Sequence, residues 1–424
     1  MRYFYYQLSN DLRVGIVPIK KNDVVSVVVC VNAGSGSDPE SKKGLAHFLE
    51  HMFFKGTKKR PELTQLEREI ERLGGSFDAY TTKEFTWFAI KLLKNDLEKA
   101  LEILGDALKN SLFLEKEINK EKQVILEEIN IYNDSPSDIA EDLFDECLFG
   151  SDSTGWGIMG KKETINRVKR ADIVKFFKEF YVSENIVVSI AGDIESEDVI
   201  LLIEKYFSDI PKGRQYLKKQ NNFFQRKPKI SLVKKNSHQV QIVFGARAFS
   251  IGHADHYVAK LIAIILGGNM SARLFKKLRE ESGIVYDIRT MSESRKQAGY
   301  IATFTGMEKK NIIKAVQEIL SEYKKLKTEK ISDSELEDAK KYLINRKIIL
   351  CEDSYFAALD IAKRIIFKKS DKTLEEYKEK ISKISAEDIQ RVSRGIFVKN
   401  NLNLAIVGPI KKEEINKLQK IIMF

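Results

Sequence analysis

Two stretches of the sequence, one before the middle and one near the end, share a pattern and lie 216 residues apart. The first, DIVKFFKEFYVSENIVVSIAGDI, spans residues 172–194, and the second, DIQRVSRGIFVKNNLNLAIVGPI, spans residues 388–410 and aligns with it without a gap. Each predicts an amphipathic helix, a turn at Asn185 or Asn401, and a buried strand that ends at a glycine. Because the offset is close to half of the chain, we predict two homologous halves.

The segment between the two halves is polar and basic. It reads PKGRQYLKKQNNFFQRKPK over residues 211–229 and has a proline near each end, which is typical of a linker. A chain of 424 residues is also too long for one ordinary core. We therefore predict an N-terminal domain over residues 1–212, a linker over 213–228 and a C-terminal domain over 229–424.

Within each half, predicted strands precede long predicted helices. Apolar runs and alternation predict strands at residues 23–35, 85–93, 238–248 and 299–306. Apolar residues at helical spacing predict helices at residues 64–75, 96–110, 120–132, 311–326 and 334–350. Strands that are neighbours in sequence, with helices packed on one face, predict an α+β fold of two homologous domains, each with a mainly antiparallel sheet.

Composition and charge argue against several functional classes. The formal net charge is +11, but Lys and Arg are mixed with Asp and Glu and form no basic–aromatic cluster typical of a nucleic-acid reader. The longest apolar run, near KLIAIILGG, is far shorter than a membrane span, and the first residues, MRYFYYQLSNDLRVG, lack the apolar core of a signal peptide. We therefore expect a cytoplasmic protein that binds neither nucleic acid nor membranes. Its three cysteines, Cys30, Cys147 and Cys351, are expected to be buried reduced thiols.

The stretch GLAHFLEHMFFKGT contains two of the five histidines in the chain. If this region forms a helix, capped by Ser41 and ended by Gly56, His47 and His51 lie one turn apart on one face. Two imidazoles at this spacing can bind a metal ion, and zinc suits two histidines, one carboxylate and an open position for water. Glu50 flanks the same face and could take a proton from that water. The competing interpretation is a surface histidine pair with a salt-bridging glutamate.

A third metal ligand is needed, and the acidic helix predicted from KEINKEKQVILEEINIYN offers several carboxylates. Glu121 and Glu128 are seven residues apart and therefore share a face, whereas Glu127 points about 100° away from Glu128. Spacing alone does not decide which carboxylate reaches a metal ion. It also leaves open an ordinary acidic helix with no metal ligand.

The inverted motif His-x-x-Glu-His resembles the signature of the M16 metallopeptidases, or inverzincins, which include the mitochondrial processing peptidase, pitrilysin and insulin-degrading enzyme. In that family the third zinc ligand is a glutamate about 77 residues after the second histidine, and a glutamate seven residues earlier supports the site. Glu128 lies 77 residues after His51. The resemblance therefore implies that His47, His51 and Glu128 bind one zinc ion per chain. It further implies a supporting role for Glu121, Glu50 as the general base, and a processing-peptidase-like fold over the whole chain.

The stretch GGSFDAYTTKEFTWF, residues 74–88, resembles the edge strand with which this family binds its substrates. The resemblance implies that Phe77, Asp78, Ala79 and Tyr80 contact an extended peptide that is added to the sheet as a strand. The chain departs from the family pattern at Asp78, where asparagine is usual, and this puts one contact with the substrate backbone in doubt.

In the second half, MSARLFKKLREESGIVYDIRT resembles the arginine–tyrosine element of the family, with Arg279 and Tyr286 at the family's spacing. In related enzymes this pair contacts the substrate and helps to stabilise the reacting carbonyl. The long members of the family have four homologous domains, whereas this chain has two. The resemblance therefore implies a homodimer in which Arg279 and Tyr286 of one subunit complete the site of the other.

The predicted function is that of a zinc endopeptidase that cleaves unstructured peptides. One alternative is a non-catalytic or partner-dependent subunit of a heteromeric processing peptidase, but such subunits usually lose a ligand or the base, and this chain retains all of them. Another is a basic binding protein with a coincidental histidine motif, which leaves the 77-residue spacing unexplained. A second histidine pair, His253 and His256, has no carboxylate at a useful spacing and indicates the start of a helix.

Overall fold

Two sheets organise the part of the chain that the computed structural model describes, which is residues 3–217, 221, 223–368 and 373–423. The strands are β1 (Phe4–Gln7), β2 (Arg13–Pro18), β3 (Val24–Val31), β4 (Ser76–Thr81), β5 (Thr86–Leu93), β6 (Ile186–Gly192), β7 (Lys229–Val233), β8 (Val240–Ala248), β9 (Val285–Ser294), β10 (Gly299–Met307) and β11 (Leu402–Val407). The helices are α1 (Leu45–Phe53), α2 (Gln65–Arg72), α3 (Leu97–Asn110), α4 (Glu115–Asp134), α5 (Pro136–Phe149), α6 (Lys162–Asn166), α7 (Arg170–Phe180), α8 (Ser196–Phe207), α9 (His256–Gly267), α10 (Ile312–Thr328), α11 (Asp333–Leu350), α12 (Ser354–Ile366), α13 (Leu374–Ser382), α14 (Ala386–Ile396) and α15 (Lys412–Ile422). A π-helical segment, Phe275–Glu281, precedes β9.

The five strands of the second sheet follow the same order as five of the six strands of the first. The first runs β1-β2-β6-β3-β5-β4, and the second runs β7-β11-β8-β10-β9. In each sheet one pair is parallel, β2 with β6 and β7 with β11, and the other pairs are antiparallel. The second sheet therefore repeats the first without β1, which confirms the predicted α+β fold with two homologous parts.

The helix–turn–strand pattern that the sequence repeats is present in both halves as α7 with β6 and α14 with β11. The turn asparagine has the same role each time. The side-chain amide of Asn185 donates to the carbonyl oxygen of Phe180 at 3.2 Å, and that of Asn401 donates to the carbonyl oxygen of Ile396 at 2.9 Å. Each amide thus satisfies a carbonyl at the C-terminal end of its helix, which explains why asparagine occurs at both turns.

Each sheet carries helices on both faces, and this differs from the prediction of helices on one face. In the first sheet, α1, α3, α4, α7 and α8 contribute to the large core on one face, and α12 covers the other, where Ala358 joins a cluster with Val28. In the second sheet, α5 covers one face, where Phe144 joins a cluster with Ala302, and α10 covers the other, where the ring of Tyr323 stacks on that of Phe244. Burial on both faces explains why the central strands are continuous apolar runs rather than alternating ones.

The compact units do not coincide with the two halves of the sequence. The first unit comprises Met1–Ile129, Trp156–Lys219 and Lys347–Glu376, and the second comprises Asn130–Gly155, Gln220–Arg346 and Tyr377–Phe424. Helix α12 of the second half thus packs on the first sheet, and helix α5 of the first half packs on the second. The predicted domains, residues 1–212 and 229–424, do not include this exchange of helices. The predicted linker, residues 213–228, lies partly outside the described residues.

Within the described ranges, no helix is both long enough and apolar enough to cross a membrane. The three cysteines, Cys30, Cys147 and Cys351, are buried as predicted.

Candidate active site

The helix that carries the histidine pair, α1, begins after Gly44 and not at Ser41. Gly44 has a φ of +94°, which glycine adopts at little cost. The two carboxylate oxygens of Asp38 accept hydrogen bonds from the backbone N–H groups of Gly44 at 2.7 Å and Ala46 at 2.8 Å. Asp38 therefore satisfies the N-terminal end of α1. The predicted cap at Ser41 is wrong because residues Glu40–Lys42 form a separate 3₁₀ turn.

His47 and His51 lie on one face of α1 and converge on one oxygen of Glu128, which lies on α4. The distance from Oε2 of Glu128 is 3.6 Å to Nε2 of His47 and 3.4 Å to Nε2 of His51. One ligand atom from each of the three residues lies within 4.8 Å of the others. Tetrahedral zinc with bonds of about 2.1 Å separates its ligand atoms by about 3.4 Å, so these three side chains fit the coordination sphere of zinc.

Two buried polar atoms of these three side chains lack hydrogen bonds within the described part of the chain. Among the described residues, neither Oε2 of Glu128 nor Nδ1 of His47 has a hydrogen-bond partner, although both atoms are buried. The Glu128 side chain as a whole is 43% exposed, so its other atoms reach solvent while Oε2 faces the imidazoles. Glu127, the neighbouring carboxylate, is exposed. A buried oxygen that faces two ring nitrogens without a hydrogen bond is consistent with a position for a metal ion.

Glu121 contacts the other nitrogen of the His51 ring. The Oε2 atom of Glu121 lies 3.2 Å from Nδ1 of His51, and its Oε1 atom lies 3.1 Å from Nζ of Lys55. When Nδ1–H donates to Glu121, the lone pair of Nε2 is available to a metal ion. Glu121 and Lys55 therefore fix the tautomer and the orientation of one predicted ligand.

Charge at the site is distributed unequally between the two imidazoles. Burial, together with the neighbouring His51 ring, lowers the pKa of His47 to about 4. Burial also opposes protonation of His51, but Glu121 and Glu128 outweigh it and raise the pKa of His51 to about 9. Contact with His51 in turn lowers the pKa of Glu128. The carboxylates thus favour positive charge where Nε2 of His51 meets Glu128, as a cation site requires.

Glu50 lies on α1 between the two histidines and is held by a residue from the first sheet. Its Oε2 atom accepts a hydrogen bond from the hydroxyl of Thr81, the last residue of β4. Burial raises the pKa of Glu50 above its ordinary value, which makes its carboxylate a better proton acceptor. The predicted base therefore lies on the same helix as His47 and His51, two of the three predicted zinc ligands.

The predicted substrate-binding residues lie on β4, an edge strand of the first sheet. Phe77 and Ala79 are half-buried and pack against the large core, whereas Asp78 and Tyr80 are exposed on the opposite face. The carboxylate of Asp78 accepts a hydrogen bond of 2.9 Å from the hydroxyl of Tyr355 on α12. An exposed edge of this kind offers backbone N–H and C=O groups to an added strand.

Arg279 and Tyr286 lie in the second unit, where they contact each other. The guanidinium carbon of Arg279 lies 5.2 Å from the centre of the Tyr286 ring and 4.8 Å from that of Phe275. Arg279 belongs to the π-helical segment, a conformation that is frequent at functional sites. The Tyr286 side chain is 79% exposed, so its hydroxyl is accessible to a ligand.

Three residues of the site are absent from the sequence-based predictions: Asp38, Lys55 and Thr81. Lys55 lies beyond the end of α1 at Phe53 and contacts Glu121 on α4, so no local pattern predicts its role. Asp38 lies in a loop, and a threonine in a strand has no distinguishing pattern, so these two also needed the structure. The second histidine pair takes part in the start of a helix as predicted: α9 begins at His256, and Nδ1 of His253 accepts from the backbone N–H of Asp255 at 3.0 Å.

Comparison with known proteins gives matches along most of the chain. Residues 14–162 match the family model described as insulinase (peptidase family M16), and residues 167–343 match the one described as peptidase M16 inactive domain. A Rickettsia bellii protein named as a zinc protease is 30% identical over 406 residues, which cover 95% of this chain and 97% of the relative. The Bacillus subtilis zinc protease YmxG is 29% identical over 408 residues, which cover 95% of this chain and 98% of the relative. The crystal structure of a protease from Helicobacter pylori superposes with a TM-score of 0.90 at 23% identity and covers 96% of this chain and 99% of that one.

Proposed function

Since this chain belongs to peptidase family M16 of the metallopeptidases, we propose that it is a zinc endopeptidase that cleaves unstructured peptides. The observation that carries the proposal is the convergence of His47, His51 and Glu128, with Glu50 beside them. The relatives that match over nearly the whole chain are named zinc proteases. Residues 167–343 match a family model described as an inactive domain, in keeping with a single zinc ion per chain.

In the proposed mechanism, His47, His51 and Glu128 would hold the metal ion. A zinc ion bound there would supply Lewis acidity, which polarises the scissile carbonyl and lowers the pKa of the attacking water. Glu50 takes a proton from that water and passes it to the leaving amine. Tyr286 donates a hydrogen bond to the developing oxyanion, and Arg279 contacts the substrate beside it.

The peptide is proposed to bind along the open edge of β4, between Phe77 and Tyr80. An added strand is held mainly through backbone hydrogen bonds, which are independent of sequence. The alternation along β4 then directs every second peptide side chain to the face of Ala79 and the others to the face of Asp78. A folded protein cannot offer such an extended segment, and this argues for unstructured peptides as substrates.

The test is cleavage of a mixed library of unstructured peptides by the wild type and by Glu50→Gln, with the zinc content measured on both. Glu127→Gln is the matched control because Glu127 is an exposed carboxylate on the helix of Glu128. We expect cleavage by the wild type and the control, no cleavage by Glu50→Gln, and about one zinc ion per chain in all three. Zinc in every sample without any cleavage would support the partner-dependent subunit instead.

We also propose a homodimer in which Arg279 and Tyr286 of one subunit act at the zinc site of the other. A complementation experiment tests this arrangement: Glu50→Gln and Tyr286→Phe chains, each impaired alone, are mixed after reversible dissociation. If the sites are shared, each mixed dimer has one site with both Glu50 and Tyr286 intact and one site with neither. About half of the dimers are mixed after random association, so about a quarter of the wild-type activity should return. If each chain supplies its own Tyr286, mixing restores nothing. A fully active monomer in sedimentation would also refute the dimer.

A further inference from the structure

We propose that Thr81 is a positioning residue that holds the carboxylate of Glu50 in a fixed position relative to a peptide bound along β4. This inference rests on the proposed function and adds a residue to it. The hydroxyl of Thr81 donates a hydrogen bond to Oε2 of Glu50. Because a carboxylate has no proton to give, Thr81 must be the donor whenever Glu50 is ionised.

The hydroxyl of Thr81 is itself fixed by its surroundings. Thr81 is 2% exposed and pairs in the sheet with Thr86 of β5. The hydroxyl of Thr86 lies 3.3 Å from that of Thr81 and donates to the carbonyl oxygen of Ala33 at 3.0 Å. The donor to Glu50 therefore stands on a buried, hydrogen-bonded part of the first sheet.

Thr81 links two parts of the proposed site that are distant in sequence. Alternation along β4 places its side chain on the same face as Phe77 and Ala79, toward α1. The strand that is proposed to bind the peptide therefore ends in the group that holds the proposed base. A displacement of the strand would move the peptide and the Glu50 carboxylate together.

The carboxylate of Glu50 needs a fixed hydrogen-bond partner because a glutamate side chain rotates about several bonds. Three rotatable bonds separate the Glu50 carboxylate from α1, and confining them costs entropy that a fixed hydrogen bond offsets. A base that is misplaced by about 1 Å lowers the rate about a hundredfold, whereas ground-state binding of the peptide is unaffected. Loss of the hydroxyl should therefore lower kcat and leave KM nearly unchanged.

The test compares Thr81→Val, which removes the hydroxyl at nearly constant shape, with Thr81→Ser, which retains it. Thr57→Val is the matched control because the hydroxyl of buried Thr57 donates to Asp106 at 2.6 Å and does not contact Glu50. We expect Thr81→Val to lower kcat about tenfold to a hundredfold with KM within about twofold. The zinc content should stay unchanged, and Thr81→Ser and the control should keep kcat within about threefold of the wild type.

Crystal structures of the wild type and Thr81→Val give a second measurement that does not depend on activity. We expect the Glu50 carboxylate to leave its position in the variant, and an unchanged position would overturn the proposal. An active wild type with unchanged kcat in Thr81→Val would overturn it as well. A wild type that cleaves no peptide contradicts the proposed function, and the two crystal structures still decide the role of Thr81. If Thr81→Val does not fold, Thr81→Ala replaces it in both measurements.

Discussion

Nδ1 of His51 lies 3.2 Å from Oε2 of Glu121, and Nε2 of the same ring lies 3.4 Å from Oε2 of Glu128. Both carboxylates belong to α4 and are two helical turns apart, so one rigid helix determines both contacts. The ring of His51 therefore lies between a predicted metal ligand and a carboxylate that orients the ring.

From this geometry we predict that Glu121→Ala weakens zinc binding by about tenfold to a hundredfold, because the His51 ring loses the acceptor that fixes its tautomer. Glu121→Gln keeps an acceptor without the charge and should lie between the wild type and Glu121→Ala. Competition with a chromophoric chelator gives the affinities. Glu127→Gln is the control, and a zinc affinity in Glu121→Ala equal to that of the control would contradict the prediction.

The repeat and the histidine motif show how much of this molecule the sequence predicts. The pattern around Asn185 and Asn401 predicts two helix–strand units because its signals lie within a few residues of each other. His47, Glu50 and His51 are predictable for the same reason, since one helix places all three. The choice of Glu128 over Glu127 needed the family resemblance, because spacing alone leaves both carboxylates open; in the structure, Oε2 of Glu128 lies 3.6 Å from Nε2 of His47 and 3.4 Å from Nε2 of His51.

The exchange of α5 and α12 between the units is not predictable from local patterns. An apolar helix face shows that the helix is buried but does not show against which sheet. The contacts that place α12 join residues far apart in sequence, such as the indole N–H of Trp87 donating to the hydroxyl of Tyr355 at 2.9 Å and the hydroxyls of Ser26 and Ser354 at 2.8 Å. Thr81 escapes prediction similarly, because its role depends on a helix 31 residues away.

A second prediction concerns Asp38, whose carboxylate accepts from two N–H groups at the start of the metal-binding helix. Asp38→Ala leaves these groups unsatisfied, and we expect it to lower the free energy of unfolding by about 1–2 kcal/mol. Asp38→Asn retains one acceptor oxygen and should cost less. Urea unfolding of the zinc-free protein measures both effects. If Asp38→Ala is as stable as the wild type, Asp38 does not act as the cap of α1.

A third prediction concerns Arg60, which is 2% exposed and contacts three carboxylates. Its guanidinium lies 3.0 Å from Glu69, 3.1 Å from Glu102 and 2.9 Å from Asp106. Lys99 still contacts Glu69 and Glu102 in the variant, but the buried carboxylate of Asp106 loses its contact with Arg60, so Arg60→Met should lower the free energy of unfolding by about 3–5 kcal/mol. The exposed Arg68 provides the matched control, and Arg68→Met should change this free energy by less than about 0.5 kcal/mol. Similar losses in both variants would contradict a special role for Arg60.

The last prediction concerns the acid stability that Asp360 provides. Burial opposes ionisation of Asp360, but the charges of Lys347 and Arg364 outweigh it and lower the pKa of Asp360 to about 2 from the ordinary 3.8. Because the folded state holds the carboxylate more strongly ionised, the interaction stabilises the fold above about pH 4 and is lost as the pH falls toward 2. This difference in pKa corresponds to about 2 kcal/mol. Asp360→Asn should therefore be less stable than the wild type at pH 5. The difference in unfolding free energy between the two proteins should decrease by about 2 kcal/mol as the pH falls toward 2. A gap that stays constant from pH 5 to pH 2 in urea unfolding would show that the charge of Asp360 is not the source of the stability.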